Sequence, residues 1–146
     1  MKITRFRNQY RFLSNFYPAR IFHRGLWFPS VEHAYQSAKA FYDEDRIAIQ
    51  QAKTAGEAKR MGRRIRLPGW DQNSKGKIEL MLNLVRQKFV NNSALGEQLL
   101  STGDAELVEG NEWGDRFWGE CRGEGENHLG KILMKVRREL QQRRAR

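Results

Sequence analysis

Between Ser74 and Phe89 the apolar residues Ile78, Met81, Leu82, Val85 and Phe89 recur three and four positions apart. That spacing places them on one side of a helix about four turns long, which needs a partner surface to cover it. Any fold open to this chain is therefore built around a central amphipathic helix. A second such pattern, Leu129, Ile132, Leu133, Val136 and Leu140 in "LGKILMKVRREL", predicts a final helix. At 146 residues the chain is long enough to bury a core without disulfides or metal staples.

The remaining segments fill in the architecture. The residues Arg20 to His23 and Leu26 to Phe28 are aromatic and β-branched around "HRG", which predicts a short hairpin turning near Gly25. After Pro29, Ser30 is placed to cap a helix reaching about Phe41, with Val31, Ala34, Tyr35, Ala38 and Tyr42 on its buried face. "DEDRIAIQQAKT" predicts a second short helix. "TAGEAKRMGRR" predicts a third, with Thr54 and Glu57 at capping-box spacing. "SALGEQLLSTG" reads as another helix closed by Gly103, and "ELVEG" as a brief strand. The expected fold class is α+β: a helix-rich single domain over residues 1–146 with a small β component and a basic tail from about 137 to 146.

Charge narrows the partners. Lys and Arg number 27 against 17 Asp and Glu, a formal net charge of +10, which favours polyanions such as nucleic acid or phosphorylated metabolites. The one cysteine, Cys121, excludes an intramolecular disulfide framework, and "MKITRFRNQYRF" lacks the apolar run of a signal peptide. The most apolar stretch, "IELMLNLV", falls far short of the roughly 20 residues that cross a bilayer. The expectation is a soluble, cytoplasmic chain with no membrane segment. His23, His33, His128 and Cys121 lack metal-ligand spacing, no serine lies in a nucleophile elbow, and neither GxGxxG nor GxxxxGK occurs. No metal or cofactor is expected.

Two constellations carry chemistry. In "SVEHAYQSAKAF", Glu32, Gln36 and Lys39 form a polar stripe beside the apolar one, placed to rim a cleft. Glu32 lies in the first turn, where the helix dipole favours a carboxylate suited to act as base or charge stabiliser. Lys39, if half-buried, becomes a candidate amine nucleophile, while pairing with Glu32 or Asp43 is the structural alternative. The second constellation is "DRFWGECRGEG", where Asp115 precedes Trp118 and Gly119 in a glycine-rich run. Asn127 is positioned to cap the final helix and aim its free amides at that run as a phosphate seat. Tyr17, Trp27, Trp70, Trp113 and Trp118 are candidates for a nucleobase platform.

The pieces "FLSNFYP", "FPSVEHAYQSAKAF", "AKRMGRR", "KFVNNSALGEQLLSTGDAELVEG", "DRFWG" and "NHLGKILMKVR" occur in that order over nearly the whole chain. Together they resemble the NADAR, or YbiA-like, family. The resemblance implies a YbiA-like fold and an N-glycosidase that cleaves a ribosyl C–N bond. Its substrates would be either intermediates of riboflavin synthesis or ADP-ribose attached to guanine bases. It further implies that Glu32, Lys39, Asp115 and Trp118 occupy the activity-bearing motif positions, with Asn15, Phe16 and Gly119 as neighbours. Tyr17, Trp27, Gln36, Arg64 and Asn127 complete the expected substrate contacts.

Cleaving such a bond builds positive charge on the sugar and negative charge on the departing nitrogen, so carboxylate and a proton source are both needed. Either Glu32 or Asp115 steadies the sugar cation and orients water while Trp118 holds the base, or Lys39 attacks the opened sugar as a Schiff-base nucleophile. The +10 charge tilts the expected substrate toward ADP-ribosylated nucleic acid over a small free intermediate. A silent nucleotide- or nucleic-acid-binding module stays open beside the enzyme, as does, less favoured, a protein adaptor.

Overall fold

Local sequence dictates where each element starts and stops. The computed structural model describes all 146 residues, Met1 to Arg146. The fold is helix-rich α+β. Its elements in chain order are β1 (Lys2–Ile3), a 3-10 helix (Asn8–Leu13), β2 (Ile21–His23), β3 (Leu26–Phe28), α1 (Val31–Ser37), α2 (Asp43–Gln50), α3 (Ala55–Arg63), α4 (Ser74–Val90), α5 (Ser93–Ser101), β4 (Glu106–Leu107), β5 (Gly110–Asn111), β6 (Glu120–Cys121) and α6 (His128–Arg144). The chain divides into two compact units, residues 15–84 and residues 1–14 with 85–146, the division passing through α4.

In the 15–84 unit, β2 and β3 pair antiparallel with Ile21 opposite Phe28. Their turn takes Arg24 and Gly25 at φ of 48° and 84°, the two left-handed positions of a tight hairpin. Arg46 of α2 locks that turn by donating to the carbonyls of His23 and Arg24. Helix α1 packs on α2 and α3. Ile21, Phe28, Val31, Ala34 and Ile49 supply a core with almost no exposure. Met81 and Leu84 of α4 are buried in the same unit.

Two expectations for α1 are corrected. The helix stops at Ser37 rather than near Phe41. Ser37 Oγ donates back to the Ala34 carbonyl, and the amides of Lys39 and Ala40 bond three residues back, so the last turn tightens into 3-10 geometry and ends. Tyr42 accordingly leaves the apolar face and becomes the extended N-cap of α2, 62 % exposed. The capping box of α3 is also displaced by one residue: Thr54 Oγ1 accepts from the Glu57 amide, but Glu57 accepts from Lys53 rather than Thr54.

In the other unit, β1 pairs parallel with β4, and β5 with β6. The single strand expected at "ELVEG" is thus two, separated at Val108–Glu109. Helix α6 packs on α5 and β4 through buried Leu129, Ile132, Leu133 and Val136. The basic segment from residue 137 continues α6, which is helical to Arg144. Arg137 is only 6 % exposed and donates to Thr102 Oγ1 and the Ala105 carbonyl, each at 2.8 Å. Arg144 pairs with Glu97.

Candidate functional site

The start of α1 is tied down from three sides. Ser30 Oγ accepts the His33 amide at 3.1 Å and faces His33 Nδ1 at 2.7 Å. His33 Nε2 lies 3.0 Å from the Ala52 carbonyl, which only accepts, so the ring proton sits on Nε2 and Ser30 donates to Nδ1. Burial lowers the pKa of this imidazole, against the opposing pull of the Ala52 carbonyl and Glu57. The Asn15 carbonyl accepts the Glu32 amide at 3.1 Å, and the Asn15 side chain donates to Met81 Sδ. Asn15 and His33 therefore fix the first turn that carries Glu32.

Glu32 is 8 % exposed, and its Oε2 accepts from Gln36 Nε2 at 2.6 Å. Gln36 is buried as well, with Oε1 lacking a hydrogen-bond partner. Its amide fits because Gly62 of α3 has no side chain: a Cβ there would lie 1.9 Å from Gln36 Oε1. Lys39, just beyond the helix, is half-buried, with its ammonium 5.8 Å from the centroid of the Trp70 ring. Desolvation lowers its pKa, opposed by the negative charges of Glu32 and Asp71 and assisted by Lys77 and Arg63. Trp70 in turn packs on Tyr35. The structure thus brings together Glu32, Gln36 and Lys39 and adds Trp70, Asp71 and Arg63.

Other expected contacts in this unit lie apart from that cluster in their bonding. Phe16 is 44 % exposed with Lys59 Nζ 5.9 Å above its ring, and Tyr17 is partly buried. Trp27 sits on the hairpin with the Arg20 guanidinium 4.5 Å from its ring centroid and Phe22 beside it. Arg64 lines a hollow with Lys39, Phe41, Tyr42 and Arg66. Phe41, Tyr42, Arg63, Arg66 and Asp71 were not expected as site residues. The signal for Arg63, Arg66 and Asp71 is the run "RRIRLPGWD", three arginines followed by a proline–glycine break and a tryptophan.

The residues Asp115, Trp118, Gly119 and Asn127 belong to the other unit. Asp115 Oδ1 accepts the amides of Phe117 at 3.1 Å and Trp118 at 2.9 Å, an Asx-type turn. Buried Asn111 clamps Asp115 further, accepting its amide and donating to its carbonyl. Trp118 makes an edge contact with Phe117. Gly119 packs so closely on Glu109 that a Cβ would lie 2.0 Å from the Glu109 carbonyl oxygen.

The phosphate seat expected at α6 is not formed. The amides of Glu126, Asn127, His128 and Leu129 donate to the carbonyls of Arg116, Gly119, Phe117 and Trp118, so the amides of the first two helical residues are already taken by the glycine-rich run. Asn127 does not cap the helix with its side chain; it adopts a left-handed backbone, accepts the Glu109 amide and donates to the Leu107 carbonyl. No group of three or more His, Cys, Asp or Glu side chains is arranged to hold a metal ion. No helix is long and apolar enough to cross a membrane.

Residues 4–141 match the family model of the NADAR domain, a span that includes both units. The chain is 42 % identical over 136 residues to a riboflavin biosynthesis protein of Vibrio vulnificus, covering 90 % of this chain but 36 % of that protein's length. It is 38 % identical over 138 residues to an N-glycosidase of Nostoc punctiforme, covering 90 % of this chain and 86 % of the relative. The solution structure of the Escherichia coli protein YbiA superposes with a TM-score of 0.82 at 32 % identity, covering 99 % of this chain and 89 % of that one. Sequence motifs, fold and coverage converge: the chain belongs to the NADAR domain family.

Proposed function

We propose that the chain is an N-glycosidase that cleaves the bond between a ribose carbon and a heterocycle nitrogen in a phosphate-bearing substrate. The observation that carries this reading is the buried Glu32 carboxylate held by Gln36, with the half-buried Lys39 amine within its electrostatic reach. The names of the relatives support it, since the Nostoc punctiforme protein is an N-glycosidase.

As the C–N bond breaks, its electron pair leaves with the nitrogen and the sugar becomes cationic. A buried carboxylate stabilises that charge far more than a solvated one does. Gln36 fixes the Glu32 oxygen, so little reorganisation is needed when the charge develops. Lys39 has lowered proton affinity, which supports the covalent route. In that route its amine bonds to the anomeric carbon as the heterocycle departs with a proton, the ring C1–O4 bond of the ribose then opens to give the Schiff base and a free hydroxyl, and water hydrolyses the Schiff base to free sugar and amine. Asp115, whose Oδ1 holds the Phe117 and Trp118 amides, serves as the organiser of the loop that presents Trp118.

The first substrate to assay is ADP-ribosylated guanine, for which the arginines near Lys39 supply diphosphate complementarity. The second is an N-ribosyl phosphate intermediate of riboflavin synthesis, favoured by the name of the Vibrio vulnificus relative, of which this chain spans 36 % of the length. The burial of Arg137 and the pairing of Arg144 remove part of the basic tail from the argument for a nucleic-acid carrier.

The test is incubation with a panel of N-ribosylated compounds, with mass detection of the released heterocycle. Release abolished by Glu32→Gln in a folded protein supports the enzyme. Tight binding without release from any compound would favour the silent module. Borohydride trapping with peptide mapping distinguishes the routes: a sugar adduct on Lys39 supports the covalent one, and no adduct during turnover returns the chemistry to direct hydrolysis.

A further inference from the structure

Lys39 lines two hollows of different chemistry within the 15–84 unit. One, of about 570 Å³, is bounded by Phe41, Tyr42, Ile49, Met61, Arg64 and Asp45 among others. The other, of about 460 Å³, is bounded by Gly62, Arg63, Arg66, Trp70 and Asp71 among others. The segment from Ile65 to Pro68 lines both. Each volume falls in the range of about 300–1,000 Å³ that small-molecule sites occupy.

We propose that these hollows are two arms of one substrate site divided at Lys39: the aromatic hollow takes the heterocycle and the arginine hollow takes the phosphate of the ribose. The inference rests on the reading of Lys39 as the group that meets the sugar. An N-ribosyl phosphate is itself two-ended, with a flat ring on one side of the sugar and a charged group on the other. Phe41, Tyr42, Ile49 and Met61 line only the first hollow and Arg63 only the second, which matches those ends.

In the aromatic hollow, Phe41 is 81 % exposed and Tyr42 is 62 % exposed. Their rings meet edge to face at 5.2 Å, leaving apolar surface uncovered by the protein. A planar heterocycle covers such rings at little conformational cost, and the Arg64 guanidinium offers a further stacking plane. In the other hollow, Arg63 lies at the last turn of α3 and Arg66 follows it in the loop; Arg66 borders both hollows, so Arg63 is the fork confined to this one. Guanidinium forks match phosphate geometry in pairs of hydrogen bonds. Asp71 lines the same hollow and opposes an anion there, so its charge limits the affinity.

The probes are ribose 5-phosphate, ribose and guanosine, titrated into the ¹⁵N-labelled full chain and followed by NMR shift changes. Ribose 5-phosphate is expected to shift the resonances of Arg63 and Trp70, and guanosine those of Phe41 and Tyr42; ribose shifts neither set strongly. Arg63→Ala weakens ribose 5-phosphate by about tenfold or more, the loss of one charge-assisted contact. Arg146→Ala, a charge-matched change at the exposed chain end, leaves it unaltered. Asp71→Asn tightens ribose 5-phosphate, and Tyr42→Ala weakens guanosine alone. Phosphate-dependent shifts centred on Phe41 and Tyr42, or undiminished ribose 5-phosphate binding by Arg63→Ala, overturn the division. Since the readout is binding, a chain that releases no heterocycle sinks the glycosidase reading and leaves this one standing, while the converse result sinks only this one.

Discussion

Gln36 donates Nε2 to Glu32 Oε2 over 2.6 Å, one helical turn apart, and the absence of a side chain at Gly62 gives that amide its room. Adding a methyl group there forces the buried Gln36 amide to swing away from Gly62 and so from its bond to Glu32. Gly62→Ala is therefore expected to destabilise the fold by about 1–3 kcal/mol despite the better helix propensity of alanine. It is also expected to lower turnover by about tenfold or more through misplacement of Glu32. Denaturant melts and steady-state rates measure the two effects, and Glu32→Gln gives the larger rate loss, about 10²–10⁴-fold, with the fold kept. An unaltered rate in Gly62→Ala would show that Gln36 does not position the carboxylate.

Lys39 sets a pH dependence whose sign follows from its neighbours. Its folded-state pKa lies below the ordinary 10.5 because burial penalises the ammonium. In the covalent route only the free amine attacks, so kcat/KM rises with pH along a limb centred below that value. Asp71 raises the pKa and Arg63 lowers it. Asp71→Asn is thus expected to move the limb to lower pH and Arg63→Ala to higher pH. A pH–rate profile for each variant checks this, and a limb indifferent to both changes separates the rate from Lys39.

Asp115 offers a contrast between two conservative changes. Asparagine retains an oxygen for the Phe117 and Trp118 amides, whereas alanine leaves both without that acceptor. Asp115→Ala is expected to cost about 1–2 kcal/mol and Asp115→Asn well under 1. Urea unfolding quantifies the difference. If Asp115→Asn keeps stability but loses activity, the carboxylate has a role in chemistry beyond holding the loop.

Lys88 is 1 % exposed, donates Nζ to the Ser14 carbonyl at 2.8 Å, and has its pKa pulled by burial from 10.5 to about 7. Between those values the unfolded chain binds a proton at this position that the folded chain does not. Unfolding free energy therefore rises with pH across that window, by at most about 1.4 kcal/mol per unit, and levels off below the lower value. Lys88→Met should flatten the slope in urea-denaturation series at neutral and alkaline pH. An equally steep slope in the variant would assign the proton elsewhere.

The basic end of α6 divides into buried and exposed charge. Arg137→Ala strands the Thr102 and Ala105 acceptors and is expected to cost about 2–4 kcal/mol, whereas Arg143→Ala stays within about 0.5. Thermal melts of the two variants are sufficient to separate these outcomes.

The helices of this chain were legible because each carries its own instructions. Ser30 and Thr54 cap α1 and α3 through their own hydroxyls, and the apolar spacing of α4 and α6 needs no partner to be recognised. The hairpin at Gly25 was legible for the same reason, a backbone demand met by a local residue type. Within the candidate site, the neighbourhood of Glu32 and Gln36 followed from helical period alone, since residues four apart share a face.

What only tertiary structure decided involves partners distant in the chain. The role of Asn127 passed from cap to cross-link because Leu107 and Glu109 offered backbone groups that a periodicity argument does not see. The amides at the start of α6 were taken by the carbonyls of residues 116–119, which turned an apparent phosphate seat into a packed loop. Arg137 moved from solvated tail to interior by the same means. The hollows at Lys39 exist because the segment after α3 folds back beside the end of α1, bringing Arg63, Arg66 and Trp70 to a lysine more than 20 residues earlier. Sequence determines period and local hydrogen bonding; which distant donor meets which acceptor depends on packing, because every buried polar group must find a partner wherever the folded chain provides one.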